Sequence, residues 1–252
     1  MAHQSSSEYR PFSALVLAGS RPGGDPLASL VGATSKASIR IAGTPMLARV
    51  LDALAASPSV GRIVVVGLAP DALDDPMLAR KIGESGAEVV EGRDSAAASA
   101  LAALEAIGSD RPFLLTTSDH PLLRPEIVED FLQGAVGTGA DAVVGLVPFE
   151  RVRQVSPDAR RTVTRLRDGE FCGSNLFALL TPTGCRAVAF WRDIEQHRKH
   201  PVRIARILGP GTLLRFLLRR LTLDLALADD ETVKKTTGAE VGFYRTDRKS
   251  VV

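Results

Sequence analysis

Short apolar runs rich in β-branched residues, alternating with helical patterns, constrain this chain more than any other feature. The runs are Ser13 to Gly19, Ile63 to Gly67, Ala87 to Val90, Phe113 to Thr117 and Ala142 to Val147. None alternates with polar residues, as expected of strands covered on both faces. Between them, Pro45 to Ala56 sets Met46, Val50 and Leu54 on one helical face. Asp94 to Ile107 is an alanine-rich helix with Asp94 or Ser95 as cap and Gly108 as stop. Pro125 to Val136 starts with proline and early glutamates, which suits a helix N-terminus. Strand–helix alternation predicts an α/β fold: three layers, α/β/α, around a mostly parallel sheet with right-handed crossovers.

After about residue 150 the rhythm changes. Thr162 to Leu166 and Phe171 to Leu180 read as two strands joined at Asp168-Gly169. Residues 184 to 235 look helical and basic, and Glu240 to Arg245 reads as a last strand. The expected organisation is a disordered tail over 1–11 and one domain over 12–246, with a first half (12–150) and a more decorated second half (151–246).

Composition excludes several classes. The chain has 252 residues, 45% hydrophobic, with net charge +2, so it can bury a sizeable core and is not disordered in bulk. No uncharged apolar run reaches the ~18 residues of a membrane span, so no stable membrane insertion is expected. The N-terminus lacks the basic start and apolar stretch of a signal peptide, which leads to a cytoplasmic expectation. An aromatic share of 5% disfavours stacking on nucleic-acid bases, and no nucleic-acid partner is expected. Cys172 and Cys185 lack zinc spacing and read as packing residues.

The chemistry concentrates after the first strand. Leu17-Ala18-Gly19-Ser20-Arg21 and the glycines that follow form a loop at the carboxyl end of a strand, where parallel sheets bind ligands. Glycines let backbone N–H groups approach phosphates, and Arg21 adds a two-pronged cation. The loop is neither a Walker A motif nor a G-x-G-x-x-G motif. Lys36 then precedes a Gly43-Thr44-Pro45 turn into a helix. After the fourth strand, Asp119-His120-Pro121 places a carboxylate just past the sheet. His120 is read as an exposed loop residue rather than a base.

The glycine loop, the lysine and the Gly-x-Pro turn together resemble the signature of MobA-like nucleotidyltransferases, relatives of the sugar-phosphate nucleotidyltransferases and of cytidylyltransferases. Ser20 replaces a frequent second glycine, and the loop from Arg21 to Gly32 is longer than usual. The resemblance implies a nucleotide-diphospho-sugar transferase (GT-A-like) fold and transfer of NMP from CTP or GTP to a phosphorylated small-molecule acceptor, with pyrophosphate released. It implies that Lys36 and Arg21 steady the triphosphate, that Asp119 holds Mg²⁺, and that Ser95 lies near the base.

In the second half, Arg161 or Arg165 is expected to clamp the acceptor phosphate, and the resemblance implies that Asn175, after Gly173, lines the acceptor pocket, where a polar side chain needs a hydrogen-bond partner. The basic amphipathic stretch 199–220 is read as a core-facing helix with a cationic solvated side; a homodimer contact or an anionic surface are its alternatives. A nucleotide-sugar-dependent glycosyltransferase and an inactive nucleotide-binding module are the alternative functions. In the resembling family an Asp-Val-Asp segment follows the last strand and supplies a second Mg²⁺ ligand. Here Asp247 to Val252 instead match the translation of a common sequencing adapter, so this tail is expected to be non-native.

Overall fold

The computed structural model describes residues 11–20, 24–108, 111–159, 161–166, 169–197 and 237–245. The expectations for the N-terminal tail, Arg21, the basic stretch 199–220 and the tail 247–252 fall outside them. In chain order the elements are β1 (Phe12–Leu17), α1 (Pro26–Leu30), β2 (Arg40–Ile41), β3 (Thr44–Pro45), α2 (Met46–Ala55), β4 (Val60–Val66) and α3 (Pro76–Ser85). Then come β5 (Glu88–Val90), α4 (Ala96–Ile107), β6 (Phe113–Thr117), α5 (Pro125–Thr138), β7 (Ala142–Pro148) and α6 (Phe149–Val155). The last are β8 (Thr164–Leu166), β9 (Gly169–Leu179), α7 (Pro182–His197) and β10 (Val241–Arg245).

The main sheet runs β10-β7-β9-β6-β1-β4-β5, and β8 folds back on β9. Strands β1, β4, β5 and β6 pair in parallel, as do β7 and β10. Among the described residues of the main sheet, only β9 enters antiparallel, between β6 and β7. The sheet is therefore mostly parallel, and its central junction is made by a strand from the second half.

Side-chain alternation along β1 shows how the core forms. Ala14 and Val16 enter one apolar cluster with Leu47, Leu51 and Leu54 of α2 and with Ile127, Phe131 and Leu132 of α5. Leu15 enters the opposite cluster with Ala100, Ala103 and Leu104 of α4 and Val188 of α7. Successive residues pointing to opposite faces, both buried, explain the unbroken apolar runs. On the second face Trp191 of α7 stacks on Phe177 of β9, with ring centroids 6.2 Å apart.

The helix phases follow the sequence pattern. Met46, Val50 and Leu54 are all buried. Ser95 is the N-cap of α4, its hydroxyl accepting from Ala98 N–H at 3.2 Å, and Gly108 ends that helix. Ser95→Ala should lower stability by about 1 kcal/mol. Urea unfolding would measure this, with Ser95→Asp, which retains a capping oxygen, close to the wild type.

The strand ends β1, β4 and β5 converge through glycine. Gly67 has a φ of 77°, and its Cβ would lie 3.3 Å from both Gly19 Cα and Gly92 Cα. Three loops thus pass backbone against backbone at the carboxyl edge of the sheet, beneath the site described next.

Candidate active site

A cavity of about 550 Å³ opens at this edge. Leu17 ends β1, and Gly19 and Ser20 follow it; Thr117, Ser118 and Asp119 close β6; Arg93, Asp94, Ser95, Ala96 and Ser99 surround the start of α4; Glu195 and Gln196 come from α7. Asp25 and Lys36 complete the lining, with Val66 of β4. This is the carboxyl-end crevice where open α/β sheets bind ligands.

Its electrostatic centre is Lys36. The ammonium donates to Asp119 Oδ2 at 3.1 Å and lies 3.4 Å from Asp25 Oδ2. The other oxygen of Asp25 accepts from the N–H groups of Leu27 and Ala28, at 3.0 and 3.3 Å, so Asp25 also caps α1. Burial acts against each charge but is outweighed. Thr117 and Lys36 hold the Asp119 carboxyl below the usual carboxylate range, and Asp119 with Asp25 holds the Lys36 ammonium above its ordinary value. For Asp25 the opposing effects are the α1 N–H groups and Lys36, which together hold it low. Lys36 is therefore a fixed cation between two anions, able to exchange a carboxylate partner for a phosphate oxygen.

On the α4 side, the Ser99 hydroxyl accepts from Arg93 N–H at 2.7 Å and draws the β5–α4 loop against the helix. Glu195 Oε2 accepts from Ala97 N–H at 3.1 Å. The anionic trio and the α4 wall face one cavity.

Of the residues singled out in the sequence, Leu17, Gly19, Ser20, Lys36, Ser95 and Asp119 line this cavity. Ala18 is buried beside it, with its N–H on Val66 O. Arg161 is exposed. Asn175 lies within β9 at a φ of 57°, where the β7–β9 register shifts. Neither is among the lining residues.

The reading of His120 as an exposed loop residue is corrected: it is 8% exposed. Burial first, and then the Arg161 charge, push its pKa down to about 4 against the opposing pull of Asp119. The imidazole is thus buried and neutral at physiological pH. Cys172 and Cys185 are buried free thiols.

Sequence reasoning missed Asp25 and Glu195. Asp25 has a local signal, an aspartate before proline at a helix start. Glu195 has none, because its partner lies 98 residues away.

Magnesium takes one or two carboxylates and fills its remaining positions with phosphate oxygens and water. Asp119 is one ionised carboxylate on the cavity wall, and among the described residues no three metal-binding side chains cluster. This donor set fits a cation that arrives with a triphosphate, not a cage built from protein alone. Among the described residues no helix is long and apolar enough to cross a membrane.

The mostly parallel sheet, with β9 inserted antiparallel, is a fold shared with nucleotidyltransferases. Over 96% of its length the chain superposes on 95% of a hypothetical transferase from Thermus thermophilus, with a TM-score of 0.76 and 32% identity. At 12% identity the fold is also shared with a CMP:2-keto-3-deoxy-manno-octonic acid synthetase complexed with CTP (TM-score 0.51, covering 94% of this chain and 89% of that one). It is shared likewise with a 4-diphosphocytidyl-2C-methyl-D-erythritol synthase from Anaerococcus prevotii (TM-score 0.53, 96% and 89%).

Residues 14–227 match the MobA-like NTP transferase domain, and the chain belongs to that family. A 2-C-methyl-D-erythritol 4-phosphate cytidylyltransferase from Frankia casuarinae is 36% identical over 159 residues, which is 62% of this chain. The match spans 56% of that relative's length.

Proposed function

We propose that the protein transfers a nucleoside monophosphate from CTP or GTP to a phosphorylated small-molecule acceptor. An acceptor phosphate oxygen attacks the α-phosphorus, the bond to the β-phosphate oxygen breaks, and pyrophosphate leaves with the bonding electrons. The observation that carries this reading is Lys36 held between Asp25 and Asp119 at the carboxyl edge of the sheet. Family membership and the Frankia relative support it, the latter favouring CTP.

The residues work by charge and position. Lys36, with Arg21 from the glycine loop, steadies the triphosphate and offsets charge that builds on the leaving pyrophosphate. Asp119 would hold Mg²⁺, which when bound neutralises charge on the reacting phosphate. Ser95 keeps the start of α4 in place beside the base, and Arg161 and Asn175 serve the acceptor from the second half. No protein nucleophile is required. The two halves, 12–150 and 151–246, act as one domain.

The test is pyrophosphate release with each of the four NTPs and Mg²⁺, against a panel of sugar and alcohol phosphates. Release with CTP or GTP and a phosphorylated acceptor is expected. Sugar transfer from a nucleotide sugar without pyrophosphate release would instead establish a glycosyltransferase.

A further inference from the structure

Glu195 comes from the last described turns of α7, yet its carboxylate belongs to the wall that begins α4. It lines the cavity together with Gln196, Arg93, Asp94, Ser95 and Ser99. Oε2 accepts from Ala97 N–H, and Oε1 has no hydrogen-bond partner among the described residues. The side chain is half-buried.

This arrangement makes the start of α4 a poor seat for phosphate. Ser95 takes the Ala98 N–H, Glu195 takes the Ala97 N–H, and the carboxylate puts negative charge where an anion would otherwise settle. The triphosphate is left to the Lys36 side of the cavity, and the base to the Glu195 side.

An ionised carboxylate is an acceptor only, so its unshared oxygen calls for a donor. Nucleobases differ in what they offer. Cytosine, adenine and guanine carry an exocyclic amino group; uracil offers a single ring N–H flanked by two carbonyl oxygens, which a carboxylate repels. Glutamate accepting from the cytosine amine is an established pairing.

We propose that Glu195 is a specificity-determining residue of the nucleotide site: Oε1 accepts from the exocyclic amino group of the bound base, so the site takes an amino-bearing base and rejects uracil. The inference rests on the nucleotidyl-transfer reading above. One carboxylate thereby clasps α7 to α4 and reads the base.

CTP and UTP form the matched probe pair, since they differ at this group and its neighbouring ring nitrogen. Glu195→Gln is the informative variant. Its amide oxygen keeps the bond from Ala97 N–H, while its other atom turns from acceptor to donor. Binding of CTP and of UTP to the full chain with Mg²⁺ and no acceptor is measured by calorimetry, with thermal melting alongside.

The wild type should bind CTP at least about tenfold more tightly than UTP, and E195Q should erase or reverse that preference at nearly unchanged melting temperature. An unchanged CTP-to-UTP ratio in E195Q, or equal losses for both nucleotides, overturns the assignment while leaving the function standing. If E195Q does not fold, Glu195→Asp carries the test, because a carboxylate withdrawn by one methylene should narrow the ratio; an unchanged ratio there also overturns it. A wild type that binds no nucleoside triphosphate removes the proposed function and this assignment together.

Discussion

Lys36→Ala is expected to lower kcat/KM for nucleotide by about a hundredfold or more, and Asp119→Ala by a comparable factor, with the fold retained. Lys36 opens a short 3-10 turn after α1 and Asp119 lies just past β6; both keep about a third of their surface in solvent, so neither supports the core. Losing Lys36 leaves Asp25 and Asp119 without the cation they share; losing Asp119 removes the carboxylate proposed to hold the metal. Because the two side chains are paired at 3.1 Å, the double variant should be little worse than either single one. Steady-state kinetics decide the matter, with circular dichroism and thermal melting as controls. Fully additive losses, or an unfolded single variant, would assign the trio to stability instead of turnover.

The largest effect on stability is expected at Gly184, in the first turn of α7. A Cβ there would lie 2.0 Å from the carbonyl oxygen of Asp141. That oxygen is fixed, since it accepts from Leu180 N–H at 2.8 Å. Asp141 is held further through its own N–H on Glu240 O, and its carboxylate accepts from Thr181 Oγ1 at 2.5 Å and Glu240 N–H at 2.8 Å. The starts of β7, α7 and β10 meet at this residue, so neither backbone can retreat cheaply. Gly184→Ala should cost about 3 kcal/mol, at the upper end of overpacking penalties. A urea midpoint showing a loss below about 1 kcal/mol would mean that α7 slides away from Asp141 without resistance.

What the sequence reveals and what it hides divide along physical lines. Residues Ser13 to Leu17 of β1, the Met46–Val50–Leu54 stripe and the Ser95 cap are legible because local periodicity and capping chemistry specify them. Asp119 is legible because it directly follows an apolar strand, and Lys36 because it precedes a Gly-x-Pro turn in a pattern that resembles a known family. Helix α3 carries capping signals at Asp75-Pro76 and Gly86 but only a thin apolar stripe, since only Leu78 and Ile82 are buried along its ten residues.

Long-range approach is what the sequence leaves out. His120 follows a strand and precedes a proline, which reads as surface; its burial, and its exposure to the charge of Arg161, depend on chain that arrives some 40 residues later. Asp25 carries a capping pattern, but nothing local says that its second oxygen meets Lys36. Glu195 looks like one charge among several on a mostly polar helix until α7 is laid against α4.

The position of β9 bears on how the chain is made. A ribosome delivers β1, β4, β5 and β6 first, and these can pair among themselves as they emerge. Strand β7 follows, but its neighbours in the finished sheet are β9 and β10, both still unsynthesised. Until residues 169–179 leave the tunnel, β6 presents an open edge and β7 has nothing to join. The nascent protein thus passes through a stage with an open edge on β6 and an unpaired β7, the condition in which chains associate with one another. Insertion of β9 joins those two strands and leaves the far edge of β7 for β10.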